Sequence, residues 1–231
     1  MSQQQGIVKG DTLQKLGSLG LIIGGLLLMA FSLIFPHPAD PTNIQDVLMT
    51  WGSKANSVKF AELFRAVGSL GIMIGAAGVY RSITARGAAW SRLGFYGIVA
   101  GTAVAAISSG VMKNMANIFA LWLGAPDDSK ATMFTASVAV VTVCSAVFTM
   151  YILVEWLAIA FLGIGMARSQ VYPKWFGWVA STLGILTVAA VGIPYFLTSL
   201  TSTILTSFGV LAILTSIWAV IVGIWVARKA W

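Results

Sequence analysis

The fold is decided by one long stretch without charge. Residues 175–227 read WFGWVASTLGILTVAAVGIPYFLTSLTSTILTSFGVLAILTSIWAVIVGIWVA and contain no Asp, Glu, Lys, Arg or His. A helix needs about 20 apolar residues to cross the hydrocarbon layer of a bilayer, so this stretch is far too long for one span. It predicts two membrane-spanning helices joined by a Ser/Thr-rich hairpin at residues 198–203. Pro194 falls near the end of the first of these helices, where a break costs least.

The composition of the whole chain also indicates a membrane location. Of its 231 residues 58% are hydrophobic and 9% are charged, and the mean hydropathy is +0.89, whereas soluble domains carry about a quarter charged residues. These values exclude a soluble enzyme, a DNA-binding module and a disordered tail. The net charge is +7, from 14 Lys and Arg against 7 Asp and Glu. Because the basic residues stand at the ends of apolar segments, they indicate membrane lipid rather than nucleic acid as the partner.

The uncharged runs predict an all-α fold, an integral membrane bundle of six transmembrane helices that forms one domain over residues 1–231. Nine basic residues fall on one side of this topology and five on the other, which predicts an N-in, C-in orientation in the cytoplasmic membrane. The fourth span would be about 55 Å long against a hydrocarbon layer of about 30 Å, so it either projects from the membrane or contains a break. The first helix is expected to be retained, because no cleavage site follows it. The predicted spans are about 16–35, 58–80, 92–112, 131–167, 175–197 and 204–227.

Two segments in the predicted outer loops show amphipathic helical spacing. In residues 42–52, Thr42 and Gln45 stand at capping-box spacing, and apolar residues follow at i, i+3, i+4 and i+7. Residues 114–123 have a similar pattern. One interpretation is that both segments complete the packing of the outer face, and the other is that they dock partner subunits. The candidate docking residues are Ile44, Val47, Leu48 and Trp51.

Glycine pairs four residues apart occur in three of the predicted spans. Such pairs allow helix backbones to approach and to gain dispersion contacts with which lipid does not compete. Residues 16–25 (LGSLGLIIGG) and 67–76 (VGSLGIMIGA) are also identical at six of ten positions, and they enter the membrane from opposite sides, as in inverted-repeat transporters. Packing within the chain, a homo-oligomer face and an inverted repeat are the alternatives. The pairs are Gly20 and Gly24, Gly71 and Gly75, and Gly97 and Gly101.

Glu155 is the strongest candidate for a functional side chain inside the membrane. It stands 13 residues before Arg168, hence about 20 Å from the inner end of its helix. A carboxyl group at this depth is costly unless it is protonated or paired. Tyr151, one turn away, is a candidate hydrogen-bond donor to it. Three roles compete for Glu155: a neutral structural acid, a proton or cation carrier, and a contact to a partner chain or pigment.

Glu62 and Arg65 stand at i, i+3 in the outer half of the second predicted span. This spacing favours a local ion pair whose charged ends reach toward the interface. Cys144 is the only cysteine and His37 the only histidine, so an intrachain disulfide and bis-His haem ligation within this chain are excluded. No catalytic set, metal site or resident cofactor is expected, although bound lipid, carotenoid or quinone fits the apolar grooves.

Several short motifs occur in an order known from other membrane proteins. Residues 34–38 (IFPHP) follow the first span, residues 78–81 (GVYR) end the second, and residues 90–94 (WSRLG) open the third. Residues 161–169 (FLGIGMARS) then lead into residues 172–178 (YPKWFGW). In these motifs the chain resembles the DUF4386-type family of small polytopic bacterial membrane proteins over most of its length. The resemblance implies a compact helical bundle and transfers no catalytic residue.

The sequence favours a non-catalytic accessory or scaffold subunit of a larger membrane complex. Sparse buried polar groups, glycine packing motifs and the amphipathic outer segments are the basis of this prediction. The alternative is a small secondary transporter or channel that uses Glu155 as an intramembrane proton or cation site. The expected partners are membrane lipid and other membrane subunits, with a homo-oligomer as an alternative, and no enzymatic activity is expected.

Overall fold

The computed structural model describes residues 6–84, 86–198 and 201–231, and within them it contains helices and no strand. Helix accounts for 86% of the structure. Six helices are long and apolar enough to cross a membrane. The predicted all-α fold with six candidate spans is therefore confirmed, and the chain is a multi-pass membrane protein. The predicted hairpin at residues 198–203 includes Ser199 and Leu200, which lie outside the described residues.

The helices are numbered in chain order, and a π-helical segment joins α6 to α7. Helices α1, α3, α4, α5 and α8 each form one candidate span, and the fifth span in chain order consists of α6, the π-helical segment and α7. The short helix α2 lies between the first two spans. The bounds are α1 Thr12–Ile34, α2 Ile44–Ser53, α3 Ala55–Ser82, α4 Ala88–Leu123, α5 Asp127–Arg168, α6 Lys174–Thr187, the π-helical segment Val188–Gly192, α7 Ile193–Leu197 and α8 Ser202–Ala230.

Helices α4 and α5 form a long antiparallel hairpin. They contain 36 and 42 residues, which is about 54 and 63 Å at about 1.5 Å per residue, against a hydrocarbon layer of about 30 Å. Helix α5 is continuous, so the break considered for residues 131–167 is not present. Residues 114–123, predicted as a separate amphipathic segment, are instead the end of α4. No Gly or Pro interrupts the chain there, and the buried face of α4 continues through Met115, Phe119 and Trp122.

Helix α2 packs against the C-terminal end of α4. Val47, Leu48 and Trp51 are buried there in one apolar cluster with Phe119, and the rings of Trp51 and Phe119 stack with their centroids 6.4 Å apart. Ile44 packs against the same cluster. The chain's own α4 therefore packs against the face of α2 that the sequence offers for docking, whereas the docking of a partner by Ile44, Val47, Leu48 and Trp51 stays a prediction.

The start of α2 differs by one residue from the capping-box prediction. The N-cap is Asn43 rather than Thr42, because the Asn43 side chain accepts hydrogen bonds from the backbone N–H groups of Gln45 and Asp46 at 3.0 and 3.4 Å. Thr42 instead donates its hydroxyl and its backbone N–H to the Asp40 carboxylate at 2.6 and 2.9 Å. These two bonds, the hydroxyl one first, hold the pKa of the Asp40 carboxyl below its usual value.

Helices α1 and α3 cross where the two similar ten-residue segments meet. A Cβ added to Gly20 would lie 2.6 Å from the Gly71 carbonyl oxygen, and one added to Gly24 would lie 2.7 Å from that of Gly68. Gly75 faces α1 in the same crossing. The two backbones are thus in direct contact, which larger side chains would prevent. Gly20 and Gly71 occupy equivalent positions in the two segments. The same sequence motif therefore lies on both helices of this antiparallel contact within the chain.

The fifth span is not a regular helix. Pro194 has no backbone N–H, and in an α-helix its ring collides with the carbonyl group four residues earlier. The chain widens into π-helical turns over Val188–Gly192, and the Ile193 N–H donates to the carbonyl oxygen of Val188, five residues back. The irregularity therefore begins six residues before Pro194, inside the span rather than near its end.

One end of the bundle brings together three distant parts of the chain. The Gly10 N–H donates to the Ala230 carbonyl at 2.9 Å, and the Asp11 carboxylate lies 3.5 Å from a terminal nitrogen of Arg81. This end therefore contains the start of α1, the end of α8 and the connection from α3 to α4.

We expect Gly24→Ala to lower the melting temperature of the detergent-solubilised chain by several degrees. The added Cβ would meet only backbone atoms, including the Ile72 nitrogen at 2.8 Å, and overpacking of this kind costs about 1–3 kcal/mol. Gly110→Ala is the matched control on α4, because a Cβ there meets no atom of the described residues within 4 Å. Equal melting temperatures for both variants would contradict a tight α1–α3 contact.

Candidate functional site

Polar side chains are buried together in the middle of the bundle. They come from α3, α4 and α5, and most of them lie within one or two helical turns of each other along these helices. Groups of this kind are stable inside a membrane only when they are paired, hydrogen-bonded or neutral. We call this group the polar core, and its members are Glu62, Arg65, Ser69, Thr102, Ser108, Ser109, Tyr151 and Glu155.

Glu62 and Arg65 form an ion pair inside the bundle. Arg65 donates from Nε and Nη2 to Oε2 of Glu62 at 2.7 and 2.6 Å, and Nη2 also donates to the Ser108 hydroxyl at 3.0 Å. Glu62 and Arg65 are only 2% and 1% exposed. The interpretation that the charged ends reach toward the interface is therefore wrong, because both residues lie on the face of α3 that packs into the bundle.

Three aromatic rings surround the Arg65 guanidinium. Its Cζ atom lies 5.3 Å from the ring centroid of Phe148, 5.4 Å from that of Tyr151 and 5.6 Å from that of Phe31. These distances are within the range of about 6 Å over which a cation and a ring face attract. The Nη1 atom is buried and has no hydrogen-bond partner in the described part of the chain. The cation is thus held by a carboxylate, a hydroxyl and three rings, while one donor group stays free.

Glu155 belongs to the same core but has a different environment. It is 3% exposed, and its Oε2 is buried without a hydrogen-bond partner among the residues that the structure describes. The hydrogen bond from Tyr151 that the spacing allows is not formed to this oxygen, and the Tyr151 ring lies against Arg65 instead. Glu155 is therefore a buried acid with an unsatisfied oxygen, whereas Glu62 is a buried acid in an ion pair.

Gly101 on α4 provides the space that the Glu155 side chain occupies. A Cβ added to Gly101 would overlap Oε2 of Glu155 and would lie 3.0 Å from its Cα. One turn earlier on α4, a Cβ added to Gly97 would lie 2.6 Å from that of Ala158. The third glycine pair therefore brings α4 and α5 into close contact, and it leaves room at Gly101 for the carboxyl group.

Two cavities adjoin the polar core. The first, which we call the Glu62 cavity, has a volume of about 70 Å³ and is lined by Glu62 together with mainly apolar side chains. The second, the Glu155 cavity, has a volume of about 40 Å³ and is lined by Glu155, Tyr151 and mainly apolar residues. Phe31 and Phe208 line both cavities. The two acids of the polar core therefore face two neighbouring cavities that share a wall.

The Arg65 guanidinium contacts the walls of both cavities. It contacts Phe148, which lines the Glu62 cavity, and Tyr151, which lines the Glu155 cavity. The irregular fifth span reaches the same region, because Tyr195 lines the Glu62 cavity and Val191 is buried in one apolar cluster with Tyr151. A change in the fifth span therefore acts directly on the walls of the polar core.

Sequence reasoning missed that Glu62 and Arg65 point inward, although a signal was present. Along α3 the buried face repeats every seven residues, as at Gly75 and Gly68. The same spacing leads from Ser69 to Glu62 and from Ile72 to Arg65. Extending the glycine face by one heptad would have placed both charges in the bundle. The partners on the other helices, such as Ser108 and Phe148, had no signal in the sequence.

No related protein supplies a function for the polar core. The chain matches no protein-family model, no curated protein and no solved structure. The resemblance to the DUF4386-type proteins therefore stays a prediction. Within the described ranges, no three His, Cys, Asp or Glu side chains come together as a possible metal site. The polar core has to be interpreted from its own geometry.

We expect Arg65→Met to destabilise the chain strongly. It would leave the Glu62 charge buried without its partner, and breaking a buried pair in this way costs about 3–5 kcal/mol. The double variant Glu62→Gln, Arg65→Met removes both charges and should recover most of the loss. The measurement is the melting temperature in detergent, together with the amount that accumulates in the membrane. A double variant as unstable as the single one would show that the charge pairing is not the cause.

Gly101→Ala should displace the Glu155 carboxyl group without changing its chemistry. The expected result is a shift of the infrared carboxyl band that Glu155→Gln removes, because the new Cβ takes the place of Oε2. Gly97→Ala is the matched control, since its Cβ would press on Ala158, one turn away, and not on Glu155. A band that moves equally in both variants would contradict a specific role of Gly101.

Proposed function

We propose that this chain is a small secondary transporter of the cytoplasmic membrane, oriented N-in and C-in, that carries protons on Glu155. The observation that supports this function is the buried Glu155 side chain, which lines one cavity and has a carboxyl oxygen without a hydrogen-bond partner among the described residues. A second cavity beside it is lined by Glu62, the acid of the buried Glu62–Arg65 pair. Each ionisable group in a membrane interior costs about 3 kcal/mol on insertion scales. A bundle with a purely structural role has no need of three such groups.

In this proposal, Glu155 is neutral while the proton is in transit. A lone carboxyl group surrounded by apolar side chains is most stable as the uncharged acid, and the niche above Gly101 accommodates it without a counter-ion. The Glu62 cavity and the Glu155 cavity supply the two access routes. The positive charge of Arg65 at the walls of both cavities repels a free proton, which favours a carrier over an open channel.

The fifth span is the moving part in this proposal. Transporters often build their sites with interrupted helices, whose irregular backbone changes shape at little cost. Here the π-helical segment Val188–Gly192 and Pro194 interrupt the span, and Tyr195 beyond them lines the Glu62 cavity. A small rotation of α7 would open or close that cavity. The transporter needs no enzymatic step and no resident cofactor.

The accessory-subunit function that the sequence favours is the second proposal. It is supported by the α4–α5 hairpin, whose two helices exceed the hydrocarbon layer by about 24 and 33 Å. Leu121, near the end of α4, is 64% exposed. An apolar side chain there suits a contact with another membrane subunit or a second copy of the chain. Gentle-detergent extraction and native electrophoresis distinguish the two: co-migration with other subunits in fixed proportion favours the accessory function.

The proton-carrier function is tested by proton flux into proteoliposomes under an imposed membrane potential. We expect the wild-type chain to carry protons and Glu155→Gln to reduce the flux at least about tenfold, because the amide binds no proton. Asp128→Asn is the matched control, an exposed acid on the same helix, and should leave the flux unchanged. A Glu155→Gln variant with wild-type flux would contradict the proposal, and one that fails to accumulate in the membrane would assign Glu155 to structure.

A further inference from the structure

We propose that a cleft at the end of the bundle where α1 begins and α8 ends binds the phosphate group of an anionic phospholipid. The cleft is lined by the start of α1, the end of α3 and the start of α4, and its volume is about 720 Å³. Pockets that hold small ligands have volumes of about 300–1,000 Å³. We call it the arginine cleft, and its charged lining residues are Asp11, Arg81 and Arg92. This inference goes beyond proton transport and does not depend on it.

The charges of the arginine cleft favour an anion. Asp11 is the N-cap of α1 and accepts a hydrogen bond from the Gln14 N–H at 3.0 Å, while its other carboxylate oxygen lies 3.5 Å from Arg81. Arg92 forms no ion pair within the part of the chain that the structure describes. The two guanidinium groups and one carboxylate leave one positive charge unbalanced. A phosphodiester carries one negative charge, and its oxygens match the donors of a guanidinium.

Two further groups at the cleft have hydrogen-bond donors to offer. Ala88, the first residue of α4, lines the cleft, and no side chain among the described residues caps this helix. The free N–H groups of a first helical turn attract phosphate through hydrogen bonds and the helix dipole. Thr84 lines the same cleft, and its buried hydroxyl has no hydrogen-bond partner in the described ranges. Phosphate oxygens accept hydrogen bonds from both kinds of donor.

The cleft stands at the ends of two candidate spans. Arg81 directly follows the uncharged run 66–80 of α3, and Arg92 directly precedes the uncharged run 93–112 of α4. Tyr80 also lines the cleft. Arginine and tyrosine are typical of helix ends at a membrane interface, and basic pockets between helices at this level bind anionic lipid headgroups. The position of the arginine cleft is therefore that of a headgroup rather than of an acyl chain.

An apolar face of α3 leads from the cleft along the span. Ala77 lines the cleft. Ile74, Leu70 and Val67 follow on the same face at spacings of three and four residues, and each is between 42% and 45% exposed. From Ala77 to Val67 the helix rises about 15 Å, which is half of the hydrocarbon layer of about 30 Å. One phospholipid therefore contacts the cleft with its phosphate and this face with an acyl chain.

The unbalanced positive charge selects among phospholipids. Phosphatidylcholine has the same phosphate group but adds a quaternary ammonium, which would bring a third cation to Arg81 and Arg92. Phosphatidylglycerol adds only neutral hydroxyl groups and keeps its net negative charge. Because like charges repel at short range, we expect the cleft to prefer phosphatidylglycerol.

The test titrates the full-length chain in neutral detergent with dioleoylphosphatidylglycerol or dioleoylphosphatidylcholine. Native mass spectrometry counts the lipids bound at each concentration. We expect one phosphatidylglycerol to bind at least about fivefold more tightly than phosphatidylcholine. Arg92→Gln should remove most of this preference, since one basic residue near the membrane surface contributes about 1 kcal/mol, or about fivefold.

Arg228→Gln is the matched control for the loss of one positive charge. Arg228 is an exposed arginine in the last turn of α8, at the same end of the bundle, and it does not line the cleft. This variant should keep the preference for phosphatidylglycerol. Equal affinities for the two lipids in the wild type, or equal losses in Arg92→Gln and Arg228→Gln, would overturn the inference, because surface charge alone would then explain the binding.

Ala77→Phe tests the cleft without changing any charge. The added ring would fill part of the cleft, and we expect a several-fold loss of phosphatidylglycerol affinity. Ala103→Phe is the matched control, because Ala103 is exposed on α4 and lies outside the cleft. Unchanged binding in Ala77→Phe, or the same loss in both variants, would show that the lipid binds elsewhere and would overturn the inference.

Glycerophosphoglycerol distinguishes a lipid from a soluble phosphate compound. It is the headgroup of phosphatidylglycerol without acyl chains, and its binding is measured by titration calorimetry. We expect it to bind at least about tenfold more weakly than the lipid, because burying only a few methylene groups at about 0.8 kcal/mol each accounts for such a difference. Equal affinities would overturn the lipid assignment and would identify the cleft as a site for a soluble phosphodiester.

Discussion

Direct contact between helix backbones at glycine is the constraint on which the rest of this structure depends. In lipid, helices gain little hydrophobic stabilisation from each other, so short-range dispersion has to hold the bundle together. The crossings of α1 with α3 and of α4 with α5 are both built on such contacts. They fix α3, α4 and α5 at the spacing at which Arg65 reaches Ser108 and the Glu155 carboxyl group fits against Gly101.

The polar core is asymmetric, because its two acids have different surroundings. Its two acids are almost equally buried, but Glu62 is paired with the only basic residue of the core, while Glu155 has an oxygen without a hydrogen-bond partner among the residues that the structure describes. A bundle that needed only stability would satisfy both acids or replace them with apolar residues, since well-packed apolar groups are often at least as stable as buried ion pairs.

The sequence was sufficient for those features that depend on a repeated local pattern. Charge-free runs gave the six spans, and the glycine spacing identified the residues of both close crossings. Features that depend on tertiary contacts could not be predicted from the sequence. The inward direction of Glu62 and Arg65 depends on the face of α3 that packs on α4 and α5. The packing of Trp51 against α4 depends on the length of α4. The Asn43 cap was missed because Thr42 found a closer partner in Asp40.

The π-helical segment has a consequence for how this protein tolerates insertions and deletions. A π-turn holds one residue more than an α-turn, and each residue added to a helix rotates everything beyond it by about 100°. The extra residue within Val188–Gly192 therefore sets which side chain of α7 faces the interior. Loss of a single residue there would restore regular α-helical bonding and rotate Tyr195 out of the wall of the Glu62 cavity. In this span, the count of residues determines the chemistry of the cavity as much as their identity does.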